Sequence, residues 1–144
     1  MSNKGLIVLS GGQDSTITAL FARKECHQLH AITFDYGQKH KIEIYSAIKV
    51  GKLLKFKSHE IIKIPNILKS TSPLVNPKTK LEKYASSEKL PAGIEPTFVP
   101  ARNILFLTIA GNRAVLLSCN LIYTGVCEED YGGYPDCRKV FIDS

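Results

Sequence analysis

The sequence contains no long hydrophobic run. Its first apolar run covers only residues 6–9, and no later stretch approaches the ~20 apolar residues of a membrane-spanning helix. The N-terminal residues also lack the pattern of a secretory signal. We therefore expect a cytoplasmic protein that does not enter a membrane.

Closely spaced cysteine pairs are also missing. The four cysteines lie far apart or in spacings unlike C-x-x-C: Cys26, Cys119, Cys127 and Cys137. Disulfides are rare in cytosolic proteins, and structural zinc sites usually take closely paired ligands. We predict four reduced thiols that do not form a zinc site among themselves.

Positive charge is in moderate excess, with 19 Lys and Arg against 13 Asp and Glu and a formal net charge of +6. This balance suits an anionic ligand and could also attract RNA. The lysines from Lys39 to Lys89 are scattered, however, and do not form a stripe with aromatic residues. We interpret them as a solvated surface and predict no direct contact with nucleic acid.

The 144 residues are enough for one domain, 1–144, with a sizeable core. Apolar periodicity predicts strands at 6–9, 29–34, 59–64 and 121–125, and helices at 15–22, 38–55 and 103–117. Residues 65–100 carry all but one of the 7 prolines, and we predict a long flap-like connection there. The alternation predicts an α/β fold: an open, doubly wound parallel sheet with helices on both faces.

Ligands of such sheets bind beyond the carboxyl ends of the strands, where the strand order reverses. We expect the first and fourth strands to flank that point. The active-site crevice would then bring together the loop at Ser10, the pair Asp35 and Tyr36, and the segment after Gly125.

The loop that follows the first strand reads Ser-Gly-Gly-Gln-Asp-Ser-Thr from Ser10 to Thr16. Two glycines permit a tight turn and a close backbone approach to an anion, and the helix after them would offer its N-terminal amides. The loop lacks the spacing and the lysine of a P-loop. We predict a polyphosphate cradle for ATP. The alternative is a plain turn in which Ser15 caps the helix and Asp14 favours its dipole.

Two later segments are rich in functional groups. Residues 96–103 deliver Arg102 and Asn103 to the start of a helix, where an arginine can bind a phosphate or carboxylate. The alternative is a surface ion pair and a simple cap. Residues 128–138 combine acids, tyrosines and Arg138 around a turn, which suits a planar heterocycle, magnesium and an anion. An ordinary Gly-Pro turn is the alternative.

The first loop resembles the SGGxDS loop of the ATP pyrophosphatases. Four segments in this order resemble the 7-cyano-7-deazaguanine synthase family, QueC, over the whole chain: 10–16, 35–38 with His40, 97–103 and 134–138. The resemblance implies an adenine nucleotide alpha-hydrolase-like fold. It also implies a ligase reaction in queuosine biosynthesis, in which 7-carboxy-7-deazaguanine and ammonia give 7-cyano-7-deazaguanine through adenylated intermediates.

The resemblance also implies roles for individual residues. ATP and Mg²⁺ would be held by Leu9, Ser10, Gly11, Gly12, Gln13, Asp14, Ser15, Thr16, Phe34 and Tyr36. The deazaguanine would face Arg102, Asn103, Asp130, Tyr131 and Asp136. Catalysis would rest on Asp14, with Arg102 and Arg138 stabilising charge.

The chain departs from the family pattern at three places, of which the first is Gly132, where a serine is common. Ala101 stands where the family usually has glycine, and the four-cysteine zinc cluster that follows in the family is absent, so we expect a C-terminally truncated domain. Its exposed sheet edge would allow a homodimer. Two alternatives remain open: another ATP pyrophosphatase, such as a transfer-RNA thiolase using Cys127 or Cys137 or an amide-forming synthetase, and a non-catalytic nucleotide-binding fragment.

Overall fold

The structure is a computed structural model that describes residues 2–38, 42–65, 67–69, 72, 98–128 and 134–144. Its strands are β1 (Asn3–Val8), β2 (Cys26–Asp35), β3 (Ser58–Lys63) and β4 (Leu121–Thr124). Its helices are α1 (Gln13–Glu25), α2 (Ile42–Leu53), α3 (Arg102–Leu116) and α4 (Lys139–Asp143), with a 3₁₀ turn at Pro135–Cys137 before α4.

The strands form a parallel sheet in the order β3-β2-β1-β4. In this sheet Leu6 of β1 lies opposite His30 of β2 and Ile122 of β4. The chain moves outward from β1 to β3 and then crosses to the other side of β1, so the strand order reverses between β1 and β4. This arrangement confirms the predicted fold class and the predicted switch point.

Helices cover both faces of the sheet. On one face, alanines of α1 and α2 pack against side chains that alternate along β1 and β2. This cluster consists of Ile7, Leu9, Ala19, Ala22, Leu29, Ala31 and Ala47. On the other face α3 packs in a cluster of Leu6, Ile32, Phe34, Ile64, Ala110 and Ala114. The alanines let the helix backbones approach the sheet, and each fully buried Leu or Ile contributes ~1.5–3 kcal/mol.

The predicted start of the first helix is wrong. Helix α1 begins at Gln13, with Gly12 in the capping position, and the Ser15 hydroxyl donates to the Gly12 carbonyl at 3.1 Å. Ser15 therefore lies inside the first turn and is not the cap. The second helix was predicted from about Gln38; α2 is described from Ile42, and residues 39–41 lie outside the described residues.

Most of the predicted flap, at 65–100, lies outside the described residues. Within the part of the chain that the structure does describe, no helix is long and apolar enough to cross a membrane.

Candidate active site

A cavity of about 260 Å³ opens at the carboxyl ends of β1 and β4. It is lined by Val8, Leu9, Ser10, Ser15, Phe34, Tyr36, Gln38, Glu43, Arg102, Asn103, Phe106, Thr124, Gly125 and Val126. The Ser10 loop, Tyr36 and the residues after β4 thus meet where the switch point placed them. Asp35, which was expected beside Tyr36, is not among the lining residues, and the use of this cavity as the active site stays a prediction.

The loop between β1 and α1 is held by its own hydroxyl groups. The Ser10 and Ser15 Oγ atoms are 3.0 Å apart, and the backbone N–H groups of Gly11 and Gly12 donate to Ser15 Oγ and Ser10 Oγ, each at 3.2 Å. Thr16 Oγ1 donates to the Gly12 carbonyl at 2.8 Å. A short loop with this many internal bonds presents a fixed backbone to a ligand.

Gly11 is required by two features of its surroundings. Its φ of +86° lies in the left-handed region, and a Cβ atom there would overlap the Glu43 carbonyl of α2. Both features exclude a larger residue. Gly12 then caps α1 with extended backbone, and no side chain of the described residues caps the first turn. The backbone N–H groups of that turn can therefore donate to an anion bound beside Ser10 and Ser15.

An aromatic wall forms one side of the cavity. The rings of Phe34 and Phe106 stack with centroids 4.0 Å apart and an interplanar angle of 8°, and Tyr36 meets Phe106 at 5.6 Å. Phe34 and Tyr36 were predicted from the sequence and lie at the end of β2 and directly after it, whereas Phe106 was not singled out. Phe106 could have been found from its position one helical turn after Arg102, which places both side chains on the same face of α3. Such a wall suits a planar heterocycle.

Gln38 fixes the turn that carries Tyr36. Its Nε2 donates to the Phe34 carbonyl at 3.1 Å, and its Oε1 accepts from the Tyr36 N–H at 3.0 Å. Both ends of the buried amide are therefore used to hold the backbone. Gln38 lines the cavity but acts chiefly on the orientation of Tyr36.

Arg102 reaches the same wall from α3. Its Nη1 donates to the Tyr36 hydroxyl at 3.4 Å, and its Cζ lies 6.0 Å from the centre of the Tyr36 ring. Burial raises the pKa of Tyr36, although the Arg102 charge opposes the shift. Tyr36 is therefore a neutral hydroxyl at pH 7, and the guanidinium keeps donors available for an anion.

Asn103 and Asp136 bind each other at the start of α3. The Asp136 carboxylate accepts the Asn103 backbone N–H at 3.3 Å, and Asn103 Nδ2 donates to the Asp136 carbonyl at 3.1 Å. Asp136 is buried and satisfies an N–H of the first turn, where a negative charge is favoured by the helix dipole. Asn103 itself lines the cavity.

Of the fourteen predicted site residues that the structure describes, half lie in the cavity wall: Leu9, Ser10, Ser15, Phe34, Tyr36, Arg102 and Asn103. Other predicted residues flank the wall or lie away from it: Gly11, Gly12, Gln13, Asp14, Thr16, Asp136 and Arg138. Asp130 and Tyr131 lie outside the described residues.

Four further wall residues were not singled out from the sequence: Val8, Glu43, Phe106 and Thr124. Val8 and Thr124 are the last residues of their strands, and this position is a usable signal. Glu43 lies in the first turn of α2. Its position at the cavity depends on the packing of α2 against Gly11, which the sequence does not show.

Metal ligands are not grouped in this part of the protein. Among the described residues no three His, Cys, Asp or Glu side chains come together in a way that could hold an ion. Cys26, Cys119 and Cys127 are free thiols, and Cys26 lies against the Tyr123 hydroxyl.

Comparison with known proteins decides the family. The profile described as "Queuosine biosynthesis protein QueC" matches residues 4–144. This chain belongs to the QueC family. A QueC relative from Gloeobacter violaceus, named 7-cyano-7-deazaguanine synthase, is 54% identical over 141 residues, which are 98% of this chain and 60% of the relative. The chain thus spans about 60% of the length of that curated relative.

A solved structure supports the fold of this QueC chain, and a second one matches less well. The NH3-dependent NAD synthetase from Campylobacter jejuni matches with a TM-score of 0.50 and 14% identity, over 99% of this chain and 68% of that one. A predicted subunit of a tRNA methyltransferase from Methanocaldococcus jannaschii matches with a TM-score of 0.48 and 17% identity, over 98% and 60%. At these identities the first match shows the shared fold alone.

Proposed function

We propose that this QueC-family chain binds ATP in the cavity at the ends of β1 and β4 and carries out nitrile synthesis. The proposed reaction converts 7-carboxy-7-deazaguanine and ammonia to 7-cyano-7-deazaguanine in the cytoplasm, as a step of queuosine biosynthesis. The observation that supports it is the meeting of an anion-binding loop, an aromatic wall and Arg102 in one cavity.

The chemistry explains why ATP is needed. A carboxylate does not release an oxide, so its oxygen first attacks the α-phosphate of ATP and pyrophosphate leaves. Ammonia then displaces AMP and forms the amide, with loss of a proton. The amide oxygen attacks a second ATP, and loss of AMP with the remaining N–H protons leaves the nitrile. Each adenylation develops negative charge on phosphate oxygens, which fixed N–H donors stabilise.

The residues of this chain can divide that work. The N–H groups of the first turn of α1 and the Ser10 and Ser15 hydroxyls would hold the leaving pyrophosphate. The aromatic wall of Phe34, Tyr36 and Phe106 would receive a ring, and Arg102 would donate to an oxygen of the phosphate or carboxylate. No protein nucleophile is required, because positioning supplies most of the effect.

Magnesium fits this arrangement better than zinc does. Mg²⁺ is commonly held by one or two carboxylates together with substrate phosphates, and Asp14 offers a carboxylate in the first turn of α1. Bound there, Mg²⁺ would neutralise phosphate charge. Among the described residues, no group of three His, Cys, Asp or Glu side chains could hold a zinc ion. We assign no step to zinc.

One observation favours a second candidate, a thiolase reaction of the same superfamily. Cys137 Sγ accepts from Asn103 Nδ2 at 3.5 Å, and Asn103 lines the cavity. A cysteine this close could carry sulfur. Sulfur transfer that is lost in Cys137→Ala and retained in Cys127→Ala would support this candidate over nitrile synthesis.

A single reaction tests the proposed function. Purified protein is incubated with ATP, Mg²⁺, ammonium and 7-carboxy-7-deazaguanine, and AMP and the nitrile are followed together by mass spectrometry. We expect the nitrile, with AMP formed in both adenylations, and no nitrile when ammonium is omitted. AMP without nitrile would indicate another ATP pyrophosphatase, and bound ATP without AMP would indicate a nucleotide-binding fragment; either result contradicts the proposal.

A further inference from the structure

A hydrogen-bond chain, partly buried at His59 and buried at Thr33, connects β3 to the start of the Ser10 loop. His59 of β3 lies with its Nε2 2.7 Å from Thr33 Oγ1 of β2, and Thr33 Oγ1 donates to the Leu9 carbonyl at 2.6 Å. Leu9 is fully buried and lines the cavity, and it is the first residue after β1 ends. None of the proposed chemistry uses Thr33 or His59.

The direction of the chain follows from the available protons. A carbonyl oxygen cannot donate, so the single proton of the Thr33 hydroxyl must point to Leu9. Thr33 Oγ1 then accepts from His59, whose Nε2 must carry the proton. Burial lowers the pKa of His59, so the ring is neutral at pH 7 and the Nε2–H form is the one that this geometry selects.

The bonds fix both sides of Leu9. Its N–H donates to the Ile32 carbonyl at 2.8 Å, and its C=O accepts from the Thr33 side chain, so the residue is tied to two successive residues of β2. A side-chain bond to this carbonyl sets the plane of the peptide that leads into Ser10. Ser10 Oγ in turn accepts the Gly12 N–H.

We propose that Thr33 and His59 are positioning residues for the anion-binding loop: they hold the Leu9 carbonyl, and thereby set the place of the Ser10, Gly11 and Gly12 backbone. The effect on ATP rests on the proposed function, whereas the effect on the loop does not. Neither residue contacts the ligand, because neither lines the cavity.

Thr33→Val tests this with a side chain of the same shape that lacks the hydroxyl. In the ligand-free protein we expect hydrogen exchange of the Gly11 and Gly12 amides to rise about tenfold, relative to the Leu6 amide in β1. The ATP dissociation constant should rise about tenfold as well. Thr33→Ser keeps the hydroxyl and should restore both values.

Two further comparisons separate positioning from general stability. Ser58→Ala removes a comparable histidine contact, the 2.7 Å pair of His30 Nδ1 and Ser58 Oγ, and should leave the loop amides and ATP binding unchanged. His59→Gln retains an N–H donor and should perturb the loop less than His59→Leu.

The proposal is overturned if the loop amides of folded Thr33→Val exchange as in the unchanged protein, or if Thr33→Ser behaves like Thr33→Val. Absence of ATP binding in the unchanged protein would contradict the proposed function instead, and the exchange rates would still decide the positioning role.

Discussion

Gly125, the first residue after β4, lies against the first turn of α1 so closely that a Cβ atom there would come within 2.7 Å of the Ser15 backbone nitrogen. The atoms that it would meet are all backbone, from Asp14 and Ser15, and cannot rotate away. Contact between β4 and α1 therefore depends on the absence of a side chain at position 125. The same contact sets the width of the cavity between β4 and the anion-binding loop.

The first prediction follows from that contact. Gly125→Ala should push the first turn of α1 away from β4 and lower the free energy of unfolding by ~1–3 kcal/mol, as overpacking does. Gly111→Ala makes the same chemical change in α3, where a Cβ would meet nothing within 4 Å, and should be neutral or stabilise by up to ~1 kcal/mol. Urea denaturation of both variants checks the difference. Equal effects of the two substitutions would show that the contact is not tight.

Ala101 is the second test case. It precedes α3 with a φ of 59°, in the left-handed region that disfavours a side chain by ~1–2 kcal/mol. Ala101→Gly should therefore stabilise the protein by about 1 kcal/mol, although alanine-to-glycine changes usually destabilise. A denaturation midpoint that falls in this variant would contradict the backbone geometry at the start of α3. The family resemblance points the same way, since glycine usually precedes the Arg-Asn pair.

Acid should destabilise the protein through two histidines. Burial lowers the pKa of His59, and burial together with the charges of Lys4 and Lys57 lowers that of His30. The unfolded chain, with an ordinary pKa of about 6.5, takes up protons first as the pH falls, so the free energy of unfolding decreases below that pH. Above pH ~6.5 these histidines are neutral in both the folded and the unfolded protein, so their contribution to the free energy of unfolding is then fully present.

Urea midpoints of the unchanged protein and of His59→Gln, measured at neutral and mildly acidic pH, check this prediction. The difference between the two proteins isolates His59, because the carboxylates are common to both. The midpoint of His59→Gln should fall less steeply on acidification. An equal slope in the two proteins would show that His59 does not titrate unfavourably in the folded state.

The sequence predicted the fold because each level of the pattern agreed. Short apolar runs alternate with helical periodicity, which permits few arrangements other than a parallel sheet. The switch point between β1 and β4 then located the cavity before any contact was known. The start of the first helix was less accurate: Gly12 takes the capping position because its extended backbone meets the helix there, while the better capping residue Ser15 lies within the turn.

Other features depended on contacts across the fold. Phe106 joins the wall only because α3 crosses the sheet above Phe34, and Thr33 reaches Leu9 across 24 positions of sequence. The Asp136 bond to the Asn103 N–H likewise joins segments 33 residues apart. Residue spacing along the chain does not predict such distant pairs. It does predict the anion-binding loop, because the residues of that loop are consecutive.

The most direct test of the central claim, that the loop after β1 binds ATP, is titration calorimetry with ATP and Mg²⁺. Ser15→Ala removes the hydroxyl that contacts Ser10 Oγ and the Gly11 N–H, and Thr18→Ala removes a hydroxyl of the same helix that bonds only to the Asp14 carbonyl at 2.9 Å among the described residues. We predict one ATP site, weakened about tenfold by Ser15→Ala and unchanged by Thr18→Ala. A folded protein that binds no ATP, or binds it equally well in Ser15→Ala, would contradict the account.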